Sequence, residues 1–194
     1  ILPTKSDPEM IPWHLDRIIR RNLPLNNTYK YNTKGSCHQN ENVDIHTYVI
    51  DTGIDVEHEE FEGRATWLAN FADQENRDCN SHGTHCAGIA AAVTNNKLGV
   101  ASYAPNNDFV KVTSIKVLTD YGGGTQKSVI SGMLEAADNG ADVISMSLGA
   151  LSNKNRKRAY ARAVDYCNRK GAIVIAAAGN NNMDAAKYSP ANAP

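Results

Sequence analysis

The chain of 194 residues has no apolar run longer than the seven residues of AIVIAAA at 172–178, where about 20 are needed to cross a bilayer. It has no charge of one sign to spare: 20 basic and 21 acidic residues give a net charge of -1, so no global field points to nucleic acid or to an anionic membrane surface. Its four cysteines (Cys37, Cys79, Cys86, Cys167) are too widely spaced for a CxxC metal knuckle, and spacing alone cannot choose among the three complete pairings they allow. No repeat period stands out. The opening ILPTKSDPEM has neither a basic n-region nor an apolar h-region. It also lacks an initial Met, and reads as a processed end. The sequon Asn26-Asn27-Thr28 fits secretion but is a short pattern that arises by chance.

What is present is a hydrophobic fraction of 41%, enough for a globular core. The first forty residues are polar and rich in Pro, Asn and Lys, and read as an irregular arm. Beyond them strand and helix patterns alternate. DIHTYVID (44–51), FVKVTSIKVL (109–118), ADVISMSLG (141–149) and AIVIAAAGN (172–180) read as strands, the later ones continuously apolar and therefore buried. SHGTHCAGIAAAV (81–93), KSVISGMLEAADNG (127–140, with Gly140 as stop) and KNRKRAYARAVDYCNRKG (154–171) read as helices. Asn80-Ser81 supplies N-capping chemistry to the first. Tyr160, Val164 and Cys167 share the buried face of the third. This order predicts an α/β domain with a mostly parallel sheet covered on both faces. Asp51, the Gly122–Gly124 loop, Ser147-Leu148-Gly149 and Gly179-Asn180 fall at the carboxyl ends of the strands, where chemistry collects in such sheets.

Three groups stand out there. Asp51 follows Val49-Ile50 and precedes Gly53, so its carboxylate is either the cap of its own turn or the partner of a neighbouring cation. His82 and His85 lie three apart among small residues. They read as a two-His zinc site, as two packed histidines, or as a general base at 82 held by Asp51 with a structural ring at 85 packed beneath it. Zinc is disfavoured, because HGTH lacks the glutamate and the i, i+4 spacing of HExxH. Asn180, after the bulk-free Ala176-Ala177-Ala178-Gly179, is either a turn asparagine or an amide that donates to a developing oxyanion.

VIDTGI (49–54), EFEGR (60–64), SHGTHCAG (81–88), SMSLG (145–149), AAAGNNN (176–182) and YSPANAP (188–194), in that order, resemble the subtilisin family, most of all its proteinase K branch. PWHLDRI at 12–18 is similar to the start of that branch's mature chains. The resemblance implies a three-layer subtilisin-like α/β fold, with residues 1–194 as the N-terminal portion of a single peptidase domain. It implies a secreted serine endopeptidase. In it Asp51 orients the base, His82 is the base, and Asn180 holds the oxyanion. Gly122, Gly123, Gly124 and Ser147, Leu148, Gly149 would form two edges that hold peptide backbone. Ala177, Ala178 and Gly179 would line an open, apolar-tolerant pocket for the side chain before the cut. The family's Gly-Thr-Ser-Met-Ala-x-Pro nucleophile stretch is missing. Ser145, Ser147 and Ser189 do not open a helix beside His82, so the resemblance implies a C-terminal fragment that brings the serine.

Protein or peptide substrates are the other expected partners, with a propeptide or inhibitor as a further one. The competing expectation is a catalytically inactive module that grips a partner through the same edges. The resemblance also matches Cys37 to a disulfide cysteine whose partner is missing. It matches Cys79 to a bridge some relatives make to the loop near 120, where no cysteine stands, and Cys86 to a free cysteine beside the base; Cys167 matches nothing. No cofactor is required. Pro194 matches a calcium-binding carbonyl, so calcium as a structural ion stays open.

Overall fold

A computed structural model describes residues 11–29, 44–94, 96–104 and 109–194. The elements run α1 (Trp13–Ile18), β1 (Ile45–Asp51), β2 (Ala65–Asn70), α2 (His82–Ala91), β3 (Val110–Lys116), α3 (Gln126–Asp138), β4 (Val143–Met146), β5 (Ala150–Leu151), α4 (Lys154–Arg169), β6 (Ile173–Ala176) and β7 (Tyr188–Ser189). Five strands form one sheet in the order β2-β3-β1-β4-β6, and every pairing in it is parallel. The fold is α/β, a parallel sheet with helices packed on both faces. A short antiparallel pair, β5 against β7, stands apart from the main sheet.

The side-chain alternation of each strand feeds two cores. Ile50, Ile115, Val117, Met133, Ile144 and Met146 pack with α3 and α4 on one face. Val49, Ile54, Phe61, Ala87, Ala91 and Val112 pack with α2 on the other. Gly132 is what lets α3 lie close to the sheet: a Cβ there would stand 2.7 Å from Val117 and 3.1 Å from Ile115, inside contact distance. Thr125 closes a capping box with Ser128 at the start of α3, which satisfies orphan amides at both positions. Gly140 follows Asn139 with φ +79° and ends the helix, as its sequence position implies.

Several sequence expectations are corrected. The irregular arm contains α1 at 13–18, while residues 1–10 and 30–40 lie outside the described residues. Strand β2 carries no clear alternation in ATWLAN and is found through its pairing with β3. The strand at 172–180 is shorter and is not buried: Ile173 is 61% and Ile175 55% exposed. The cause is position. It is the last strand of the sheet, and α4 covers only the face that carries Val174 and Ala176.

Candidate active site

Strand β1 ends in a turn that leaves the Asp51 side chain wholly buried, while the His82 side chain is 46% exposed. His82 opens α2, and its Nδ1 is 2.7 Å from Asp51 Oδ1. A carboxylate can only accept, so in this contact Nδ1 donates, which leaves Nε2 for other partners. Asp51 Oδ1 also accepts from the Thr52 amide at 2.7 Å, whereas Oδ2 is buried with no partner among the described residues. Burial pushes the Asp51 carboxyl above the ordinary value, and the bonds from His82 and Thr52 only partly pull it back.

The start of α2 is held by groups far away in sequence. Ser81 sits before the first helical residue with φ +71° and makes no side-chain cap bond, so the expected Asn80-Ser81 cap does not form. Asp78 does the work instead. Its carboxylate accepts from the Ser81 amide at 2.9 Å and from the Thr84 amide and hydroxyl at 2.9 and 2.6 Å. Thr52 Oγ1 accepts from the Gly83 amide at 3.0 Å and donates to Asp78 at 2.9 Å. The orphan amides of the first turn are thereby tied to β1. Gly83 is required here, since a Cβ would fall 2.0 Å from the Gly53 carbonyl oxygen.

Lys116, at the end of β3, is completely buried. Its Nζ donates to the Thr52 carbonyl and to Asp120 Oδ1, both at 2.7 Å, and lies 3.4 Å from Asp73. The Asp120 carbonyl in turn accepts from Asn80 Nδ2 at 2.8 Å. A closed ring therefore runs from the Asp51 turn through Lys116 and the loop at 119–124 to Asn80 and back to His82. Asp78, Thr52 and Lys116 escaped sequence reasoning; a lysine set between the apolar Ile115 and Val117 was the one available signal.

A pocket of about 500 Å³ opens beside His82. Among the expected edge residues, Gly122, Gly124, Ser147, Leu148 and Gly149 line it, and so does Asn180. Gly123, Ala177, Ala178 and Gly179 are not in its lining. Ala177 instead bonds the Met146 carbonyl through its amide, and Gly179, at φ +103°, lies against the Tyr188 ring.

His85 is exposed rather than packed beneath the base, and it lines a separate cleft with His58 and Glu60. It does not join the cluster of Asp51, His82 and Cys86, whose ligand atoms lie within 4.8 Å of one another among the described residues. A zinc site shared by His82 and His85 therefore has no support, and the Nδ1 of His82 is already engaged by Asp51. Cys86 Sγ lies 3.9 Å from that nitrogen. Cys79, Cys86 and Cys167 are free thiols, and Cys37 lies outside the described residues. Burial pushes the Cys167 thiol up to about 11, which leaves it unreactive. Ser189 is buried and bonded to Ser152 and Asn192. Among the described residues no serine hydroxyl bonds to His82.

A carboxylate on a strand end, an imidazole at a helix start and an open groove recur in known proteins, and the sequence model of the subtilase family matches residues 44–194. The chain belongs to the subtilase family. Among curated subtilases it is 37% identical over 202 residues to a cuticle-degrading serine protease of Arthrobotrys oligospora, spanning 100% of this chain and 45% of that one. It is 46% identical over 155 residues to subtilisin-like protease 7 of Trichophyton soudanense, spanning 76% of this chain and 35% of that one. The chain thus spans less than half the length of these relatives. Among solved subtilase structures, a cold-adapted subtilisin-like serine proteinase superposes with a TM-score of 0.73 at 35% identity, over 95% of this chain and 62% of that one. No helix among the described residues is long and apolar enough to cross a membrane.

Proposed function

We propose that the chain supplies the base, its orienting acid and an oxyanion donor to a broad-specificity serine endopeptidase, with the nucleophilic serine brought by a further, C-terminal segment. The observation that carries this reading is the 2.7 Å contact between His82 Nδ1 and the buried Asp51, set beside a groove that Asn180 also lines. In the reaction, the serine attacks the peptide carbonyl carbon and His82 Nε2 takes its proton. The tetrahedral oxyanion is held by the Asn180 amide and backbone N–H groups. Collapse breaks the C–N bond as His82 returns the proton to the leaving amine, and water repeats the cycle to free the acyl group. Asp51 fixes the ring and stabilises the imidazolium. The peptide lies extended between the 122–124 and 147–149 edges.

The sheet supports a docking segment. Register pairs Val49 with Ser145 and Ser145 with Ile175, so exposed Ile173 and Ile175 lie on the same face as α2 and His82. A segment that covers them arrives beside the base. Secretion and a propeptide or protein inhibitor as a further partner belong to the same reading.

Calcium as a structural ion at the Pro194 carbonyl belongs to the same reading, with the rest of its roughly six to eight oxygen ligands coming from the further segment.

The test is an active-site-directed organophosphorus probe applied to the native assembly. Labelling of a serine, with cleavage of unfolded protein, is the expected result. No label and no cleavage sinks the endopeptidase reading and leaves a binding module. Calcium is checked by thermal unfolding of the native assembly, whose midpoint should rise with added calcium and fall back with a chelator.

A further inference from the structure

The groove has a second end. His82 belongs to α2 on one face of the sheet, but Gln126 and Val129 from the first turn of α3, and Arg156 and Tyr160 from the first half of α4, line the same pocket from the other face. Gln126 Nε2 approaches the Arg156 carbonyl at 3.5 Å, joining the two helix starts. Val129 and Tyr160 are buried and Leu148 packs against the same core, so the floor here is apolar. The rim is polar and of one sign. Arg156 is half-buried and donates through Nη1 to the Leu151 carbonyl. Its Nε and Nη2 take no hydrogen bond among the described residues. The Tyr160 hydroxyl likewise makes none and is not among the sealed unpartnered atoms, so it meets solvent in the pocket. Burial, opposed only in part by the nearby Arg156 charge, raises its pKa and keeps it a donor.

No acidic residue lines this pocket. None occurs from 121 to 134 or from 143 to 164, while Lys127, Lys154, Lys157, Arg158 and Arg162 do. None of these cations, nor Arg156, joins an ion pair among the described residues.

We infer that this end of the groove is a subsite for an acidic side chain of the peptide, remote from the bond that is cut. The stem of a glutamate lies on Val129, Leu148 and Tyr160. Its carboxylate takes charge-assisted hydrogen bonds from Arg156, with the Tyr160 hydroxyl and the Gln126 amide as further donors. The surrounding cations steer acidic segments to it. The inference deepens the endopeptidase reading and rests on it for the path of the peptide; it narrows the substrate class to proteins with an acidic residue at one fixed distance from the cut.

The test uses the complete protease and pairs of peptides that differ only as Glu or Gln, the difference being moved in turn through each position upstream of the scissile bond. At one position kcat/KM should favour Glu roughly ten-fold at low salt, the size of one charge-assisted bond at a half-exposed site, and the preference should fade as salt shortens the Debye length. Arg156→Gln should bring the ratio to unity, Arg156→Lys should keep part of it, and Arg156→Glu should reverse it toward a Lys peptide. The ratio is taken within each variant, so loss of folded protein cancels. A ratio of unity at every position, or one that survives Arg156→Gln, overturns the subsite. Binding of uncleavable Glu and Gln peptides to this chain, followed by fluorescence anisotropy, separates the two readings. An Arg156-dependent Glu preference in binding without any cleavage keeps the subsite and sinks the endopeptidase. Cleavage without preference does the reverse.

Discussion

The two faces of the sheet are built from the same strands and end up in opposite states. On the face under α3 and α4, Ile115, Val117, Met133, Ile144 and Cys167 are fully buried, and the seal runs from β3 to β6. On the other face α2 covers β1 and β3, with Val49, Ile54 and Val112 beneath it. Toward β6 that cover stops, and Ile173 and Ile175 face solvent. The sealed face supplies rigidity, and the half-covered face carries His82. Stability and chemistry are therefore separable by substitution. The base sits on the same face as the uncovered apolar side chains of β6.

The sharpest way to break this comparison is at the base. On the proposed endopeptidase reading, His82→Ala should lower kcat by about four orders of magnitude or more, with the unfolding midpoint of the chain shifted little, because the ring is half exposed. Steady-state kinetics and urea unfolding on the same sample decide it. A variant that keeps most of its activity, or that unfolds, would show that chemistry and stability are not divided between the faces.

The next test takes one residue from each face. Met133→Ala opens a cavity in the sealed core and should cost about 2–5 kcal/mol in denaturant unfolding. Ile175→Ala removes a side chain that is 55% exposed and should cost less than about 0.5 kcal/mol in the isolated chain. On the proposed reading, a docked segment would bury Ile175 and the cost of Ile175→Ala should rise by the transfer energy of the lost methylenes. Equal costs for the two variants in the isolated chain would erase the contrast.

The same division explains what could be read from the sequence. The sealed face was legible in outline: the pattern gave α3 and α4, Tyr160, Val164 and Cys167 marked the buried face of α4, and Gly140 marked a helix end. The Asp51–His82 pair was also legible, because a carboxylate at a strand end and an imidazole at a helix start are chemistry that local sequence displays. The exposure of β6 was not legible. A continuous run such as AIVIAAA says that the strand prefers to be buried on both sides, and only the order of strands says which side lacks a partner. The anchoring of α2 was equally hidden. Its capping groups, Asp78 and Thr52, reach it through space, while Ser81, the residue in the usual place, is turned away by its positive φ. Gly123 and the stretch 177–179 lie outside the lining of this pocket, and a bound peptide is what would decide their part in the groove.

The smallest effect tests how α2 is fastened to the half-covered face. Burial alone would raise the Asp78 carboxyl, but bonds from Thr84, Thr52 and Ser81 outweigh it and hold the pKa below the ordinary value. A depressed carboxylate stabilises the fold above its unfolded pKa of about 3.9, and that contribution is lost as pH falls through the lower folded value. Asp78→Asn should therefore cost about 1–2 kcal/mol at pH 7, the scale of a lost helix cap. The gap between the variant and the wild type should narrow as pH falls below about 4 and close only below the lowered folded value, where both side chains are neutral. Unfolding in urea at pH 7, 5 and 3 reads the gap directly. A gap that persists undiminished at pH 3 would mean that shape, and not the charge on Asp78, holds the start of α2 and with it the position of His82.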